Sequence, residues 1–426
     1  MPSIALPVSL RGQLLSGSRF SPLSLFTASE PGLWYDPSDL TTMFEDTAGT
    51  IPVTTPGQSV ARINDKSGRG NNATQPTAAS RPTYGVHPVV GRRNLLTLTE
   101  QFDNAGWGKF GTVLVTPNTT LSPVGDQTAD TLAITATSSG IFQPVPALPL
   151  TTYTASVWVR AEGAVTSRLV INTNLSDPVF LTVNATTQWQ RVSLSKVTQA
   201  ATTSVTFQID AGNGPNTVYV WGAQVELGAS ATAYQRVTTS FDVTEAGVPS
   251  VSYLSFDGVD DFLVTPTITP GTDKVQVFAG VRKLTDAAIG IVAESSSTIN
   301  SNNGAFLLAL IAGSPSTWQW LSKGTTIKSA SGGPTAAPSS SVLTGIGDIS
   351  GDLARLRSNG IQLAENLTDQ GTGNFLAYPI YIGRRGGVDL PLNGQIYSLI
   401  VRFGSNLDAG AINSTETFVN EKTGAY

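Results

Sequence analysis

The chain has 426 residues, 40% of them hydrophobic and only 13% charged, with 42 Gly and 25 Pro. A net charge of −5 and a pI near 5.0 oppose nucleic acid as a partner, because phosphate neutralisation needs a basic face. With no Cys, disulfides, thiolate metal sites and thiol nucleophiles are excluded together. This length supplies more than one hydrophobic core, and frequent turns with a Thr-, Ser- and Asn-rich surface point to an all-β fold.

Residues 1–30 carry apolar side chains among Pro and Ser without a sustained period, and are expected to form an N-terminal arm. No basic stretch precedes an apolar run, so no signal peptide is expected, and no 18-residue apolar run offers a membrane span. Leu6, Val8 and Leu10 alternate. Such an arm either adds a strand to an exposed sheet edge or folds back on its own module. The first ordered segment is expected at Gly32-Leu33-Trp34-Tyr35, followed by the turn Asp36-Pro37-Ser38-Asp39. A short strand at Val60-Ala61-Arg62-Ile63 runs into the turn-rich Asn64–Asn72.

After Arg93 the texture changes. Strands are expected near 153–160, 168–172, 189–194, 204–210 and 217–227. In Ser204–Asp210 the alternation places Val205, Phe207 and Ile209 on one inward face. From Tyr253 strands resume at 253–256, 275–282, 306–311, 353–357, 361–364, 379–382 and 395–403. Asn359-Gly360 signals a tight hairpin, since both central residues of a type I′ turn need positive φ. Residues 329–341 read as a loop. The one convincing helix is C-terminal, with Asp408 as its cap, Ile412, Thr415, Glu416 and Val419 along it, and Gly424 closing it.

Three stretches resemble modules of tailed-bacteriophage virion proteins. Leu33–Asp39, Asp65–Ala73 and Leu254–Phe262, with Asn393–Tyr397 and the last helix, resemble a concanavalin A-like (laminin G-like) jelly roll. Asn94–Trp107 and Gly222–Gly228 with Tyr234-Gln235 resemble a carbohydrate-binding-module jelly roll. The resemblance implies two antiparallel jelly-roll sandwiches, one inserted in the other. The arm would cover residues 1–30, the laminin G-like domain residues 31–92 and 240–426, and the inserted module residues 93–239. It also implies a virion structural protein, made in the host cytoplasm and associated with tail, fibre or tip. The alternatives are a capsid-decorating or head-fibre protein and, third, a carbohydrate-active enzyme. Expected partners are other virion proteins, reached through the arm, and a host-surface glycan. A homo-oligomer is expected, formed without coiled-coil heptads.

The chemistry is sparse. The single His, His87, reads as a solvated loop residue rather than a catalytic base. Asp257, Asp260 and Asp261 sit on a bend, where paired carboxylates suit a structural Ca²⁺ better than glycoside hydrolysis. Asp36, Asp39 and Asp65, or Glu100, Asp103 and Glu226, are further Ca²⁺ candidates. No catalytic residue is expected. Sugar binding needs an exposed ring. Trp107, in a Gly-flanked segment, and Trp318 with Trp320, alternating beside a long loop, are the candidates, whereas Trp158 and Trp221 read as core.

Overall fold

The computed structural model describes residues 20–426 apart from Asn213. It is all-β apart from three short 3₁₀ turns and one C-terminal helix, and its strands form four sheets. Two of these sheets are built by residues 108–227, five strands each. One runs Gln190–Val197, Thr152–Arg160, Asn216–Leu227, Ala129–Ile134, Val113–Thr120; the other runs Val179–Ala185, Val165–Thr173, Ser204–Asp210, Gly140–Pro146, Gly108–Phe110. Every pairing in both is antiparallel. Their facing sides share one core that includes Val205, Phe207 and Ile209, so the alternation read from the sequence does mark the inward face.

The remaining two sheets draw on residues both before and after that stretch. In the ten-stranded sheet the order is Gln235–Thr239, Asp242–Glu245, Thr83–Pro88, Ser250–Asp257, Asn393–Phe403, Lys274–Lys283, Ser339–Asp348, Leu353–Ser358, Ile361–Asn366, with Gly32–Tyr35 also pairing Asn393–Phe403. A nine-stranded sheet packs against it, and Leu33, Phe256, Val277, Phe306, Trp320 and Leu399 belong to the core between them. Thr83–Pro88 therefore pairs with Ser250–Asp257 across an excursion of more than 150 residues. The strand Gln235–Thr239, read from the sequence as the end of the inserted module, hydrogen-bonds instead at the edge of the ten-stranded sheet.

The local signals hold. Asn359 and Gly360 both have positive φ, at 51° and 77°, and close the hairpin between Leu353–Ser358 and Ile361–Asn366. Asp408 caps the helix Ala409–Thr423 by accepting the Ala411 N–H at 2.7 Å, and Gly424 ends it in the left-handed region. The expected loop 329–341 is shorter, because Ile327–Gly332 pairs with Thr317–Lys323 and the next strand begins at Ser339.

The far face of the ten-stranded sheet is also covered. Ile412 and Val419 of the helix pack on Phe278, Val342 and Ile400, joined there by Leu25 and Phe26. Arg402 donates to the Leu25 carbonyl at 2.7 Å and pairs with Glu30 at 3.0 Å. Residues 20–30 thus fold back on the sheet, while the strand read at Ile4–Leu10 lies outside the described residues.

The two ends of the 94–234 stretch meet. The Arg93 N–H donates to Gln235 Oε1 at 2.6 Å, and Asn94 Nδ2 donates to the Gln235 carbonyl at 2.9 Å. An excursion that starts and finishes at one point adds no break to the sheet it leaves. Replacing residues 94–234 with a short Gly/Ser linker should therefore leave a soluble, cooperatively unfolding protein that keeps the near-ultraviolet circular dichroism of its buried tryptophans. An insoluble product, alongside an isolated 94–234 fragment that folds, would show that the outer sheets need the excursion.

Candidate functional site

The tryptophans expected at the surface are in the core. Trp107 is 2% exposed, its ring 4.8 Å from that of Phe102 and 5.6 Å from Phe207, and its indole N–H donates to the Leu98 carbonyl. Its flanking glycines permit tight packing rather than exposure. A Cβ on Gly106 would lie 2.5 Å from Leu98 Cδ1, and one on Gly108 would lie 2.4 Å from Phe142 Cζ. Trp318 and Trp320 do share one face of their strand, but it is the inward one. Trp320 stacks on Phe306 at 5.5 Å and lies over Gly345, where a Cβ would come within 2.1 Å of the ring.

Of the tryptophans read as core, Trp221 is buried at 4% exposure and Trp158 is only partly buried, and both line a cavity of about 610 Å³. Tyr153, Ala155, Val157 and Val159 take the inward side of Thr152–Arg160, which turns Thr154, Ser156 and Trp158 to the other face of the sheet. Trp158 opposes Trp221 on the neighbouring strand, and the register shift between Ser156 and Trp158 sits beside Gly222, whose φ is +66°. Tyr234 then crosses this face, its ring centroid 4.8 Å from that of Trp221. Beyond the three rings, Glu100, Asp126, Arg236 and Glu245 complete the walls.

The polar groups are fixed. Trp221 donates from its indole nitrogen to Thr128 Oγ1 at 2.8 Å, and Thr128 donates to Asp126 at 2.6 Å. Hydrogen bonds from the Ser122 and Thr128 hydroxyls hold the Asp126 carboxyl below its usual range. Glu100 accepts from the Tyr234 hydroxyl at 3.0 Å and pairs with Arg236 at 3.3 Å; burial nevertheless pushes its carboxyl up. Glu245 is tied to Arg93 at 2.9 Å and to Gln235 at 2.9 Å. Ring faces flanked by carboxylates and a guanidinium suit a ligand with one apolar face and many hydroxyls.

The acidic candidates separate. Asp36 and Asp39 pair with Lys66, Asp65 accepts the Trp34, Ser67 and Asn71 N–H groups, and Glu226 accepts from Gln224 and Thr232. Asp103 is exposed. Among the described residues, the carboxylates that converge are those of Asp257, Asp260 and Asp261, with one oxygen from each within 4.8 Å of the others. The turn itself is held by those carboxylates: Asp261 Oδ2 accepts the Asp257 N–H, Asp257 Oδ1 accepts the Val259 N–H, and Ser80 donates to Asp260. Three hard oxygens at this spacing fit a Ca²⁺ ion, which takes oxygen ligands at roughly 2.3–2.6 Å. His87, read as a solvated loop residue, is instead 5% exposed on the strand Thr83–Pro88. It lies between the rings of Tyr253 and Tyr397, with Nε2 2.6 Å from the Tyr397 hydroxyl.

No protein-family model matches the chain, and no curated protein does. Solved structures do. The enzymatically active domain of bacteriophage CBA120 tailspike protein 4 is 14% identical, with a TM-score of 0.28 over 32% of this chain and 21% of that one. The CBM40 of the Ruminococcus gnavus IT-sialidase, solved with α2,3-sialyllactose, is 16% identical, with a TM-score of 0.28 over 36% of this chain and 97% of that one. The receptor-binding domain of a botulinum neurotoxin mosaic serotype C/D is 14% identical, with a TM-score of 0.31 over 39% of this chain and 42% of that one.

Burial, followed by the charges of Asp257 and Asp260, raises the Asp261 pKa to about 7. A carboxyl whose pKa is raised by folding contributes stability that is complete below its unfolded value and is lost as pH rises through the folded value. In metal-free buffer, stability should therefore fall between about pH 4 and pH 7 through this group. Asp261→Asn should flatten that slope and melt higher than the parent at pH 8, by on the order of 2 kcal/mol. Thermal melts against pH in EDTA test this, and an unchanged slope in the variant would contradict it.

Proposed function

We propose that the protein is a non-catalytic, glycan-binding component of a bacteriophage virion, carried on its tail, fibre or tip. The cavity of Trp158, Trp221 and Tyr234 is its sugar site. That cavity carries the reading. The partly exposed Trp158 ring, backed by the buried Trp221 opposite it and flanked by Tyr234, gives a ring face on which the C–H face of a pyranose stacks. Asp126 and Arg236 accept from and donate to its hydroxyls. A volume of about 610 Å³ suits a saccharide of one or two rings. The virion assignment rests on the resemblance of the sequence to phage virion modules. In this reading Asp257, Asp260 and Asp261 hold a structural Ca²⁺ that neutralises their mutual repulsion, and none of them acts on substrate.

Binding of the full chain to a panel of neutral and acidic oligosaccharides tests the site. Trp158 is the residue to change, because it is only partly buried. Trp158→Ala should melt close to the parent and lose roughly tenfold or more in affinity, since stacking of a ring against an apolar face is worth on the order of 1–2 kcal/mol. Full affinity in that variant would place sugar binding elsewhere, and release of reducing sugar by the parent would overturn the non-catalytic assignment. Quantitative mass spectrometry of purified virions addresses location. A few to a dozen copies accord with a tail position, whereas dozens or hundreds would move the protein to the capsid.

A further inference from the structure

A second cavity, about 330 Å³, lies on the far face of the ten-stranded sheet, away from the sandwich core. Its floor is Tyr253 and His87, side by side on Ser250–Asp257 and Thr83–Pro88, with Arg282 on the strand Lys274–Lys283. Arg92, from the segment leading into the inner sandwich, and Phe241, from the turn between Gln235–Thr239 and Asp242–Glu245, also line it. Two arginines thus face one enclosure, and no Asp or Glu is among its lining residues. Asp242 is near enough to act on Tyr253 but does not line the cavity.

Among the described residues, neither cation is paired with a carboxylate. The Arg92 guanidinium donates to the carbonyls of Asn94, Leu95 and Leu96 at 2.8–3.2 Å, which supply hydrogen bonds but no countercharge. Among the described residues, the Arg282 guanidinium makes no hydrogen bond and no ion pair. Its charge instead acts on His87, Tyr253 and Tyr397. Burial, and then the nearby Arg282, lower the pKa of the His87 imidazole. The cluster therefore keeps two arginine charges facing one cavity. A half-buried guanidinium without a partner is costly unless something supplies the missing charge.

We infer that this cavity is a binding site for a small oxyanion, a carboxylate or phosphate group, gripped by Arg92 and Arg282 while an apolar flank of its carrier lies on Phe241 and Tyr253. A guanidinium fork matches both oxyanions in a bidentate fashion, and Arg282 keeps its fork free, whereas Arg92 spends Nε and Nη2 on carbonyls and offers Nη1 and a second positive charge. The site is distinct from the aromatic cavity, whose walls carry three carboxylates against one arginine and so favour neutral or amino-bearing ligands. Acidic and neutral groups of a ligand would thus be taken by different faces of the same junction.

The test uses the full chain in low-salt buffer with three probes: inorganic phosphate, glucuronate and, as neutral control, glucose. With the aromatic cavity silenced by Trp158→Ala, calorimetry should show saturable binding of phosphate or glucuronate and none of glucose. If both bind, the cavity reads the charge alone; if only glucuronate binds, the apolar flank selects an acidic sugar, and either result supports the site. Arg282→Gln should weaken binding roughly tenfold or more, because a charged hydrogen-bonded contact is worth about 1.5–3 kcal/mol. Without probe the variant should melt no lower than the parent, since it removes a like charge from beside Arg92; a purely structural arginine would give the opposite shift. Phosphate, which has no ring face to stack, should bind the parent and Trp158→Ala alike. Absence of binding by both anions, or undiminished binding by a folded Arg282→Gln, would overturn the inference.

Discussion

Three side-chain amides hold the junction on which both cavities depend. Asn94 is fully buried, donating to the carbonyls of Ala223 and Gln235 and accepting from the Val225 N–H. Gln235, also fully buried, accepts the Arg93 N–H and donates to Glu245 and to the Gly91 carbonyl. Gln224 accepts the Gln235 N–H in turn and passes its own amide to Glu226. The Gln235 N–H to Gln224 bond joins the inner sheet directly to the strand entering the outer one, and Asn94 bridges the same two through Ala223, Val225 and Gln235. A buried polar network is favourable only when all its members are satisfied, so the positions of these segments are fixed together. Tyr234 and Arg236 flank Gln235 and line the aromatic cavity, while Arg92 and Phe241 line the cationic one.

Much of the fold was legible because its signals are local. The Asn359-Gly360 hairpin, the Asp408 cap and the alternation at Val205, Phe207 and Ile209 each depend on residues within one element. What alternation cannot say is which face meets a core. Trp318 and Trp320 share a face, but pairing of Thr317–Lys323 with its neighbours turned that face onto Phe306 and Gly345. Trp158 shares its strand with Val157 and Val159, which claim the inward side, and parity then sends the indole outward. That signal was present in residues 153–160, and counting from the small inward residues finds it. The glycines beside Trp107 were misread for a related reason: a residue without a side chain marks close approach as readily as an open turn.

His87 and the cationic cavity were illegible for a different reason. Thr83–Pro88 lies between Ser250–Asp257 and Asp242–Glu245, so its neighbours come from beyond residue 240, after the whole inner sandwich. Nothing near His87 in sequence announces Tyr253 or Tyr397. The three aspartates at 257–261, by contrast, were found correctly as a cluster because a single turn gathers them.

Amide hydrogen exchange at the junction tests the central claim most directly, namely that the buried amide network fixes the two cavities in place. The N–H groups of Arg93, Asn94, Val225 and Gln235 each donate to a side-chain amide oxygen rather than to a strand partner. If the network holds the junction as a unit, these four should be protected to nearly the degree of the core strands Ser204–Asp210 and Lys274–Lys283. Exchange at loop rates, with both cores still protected, would show a junction that opens independently and cavities that are not preformed.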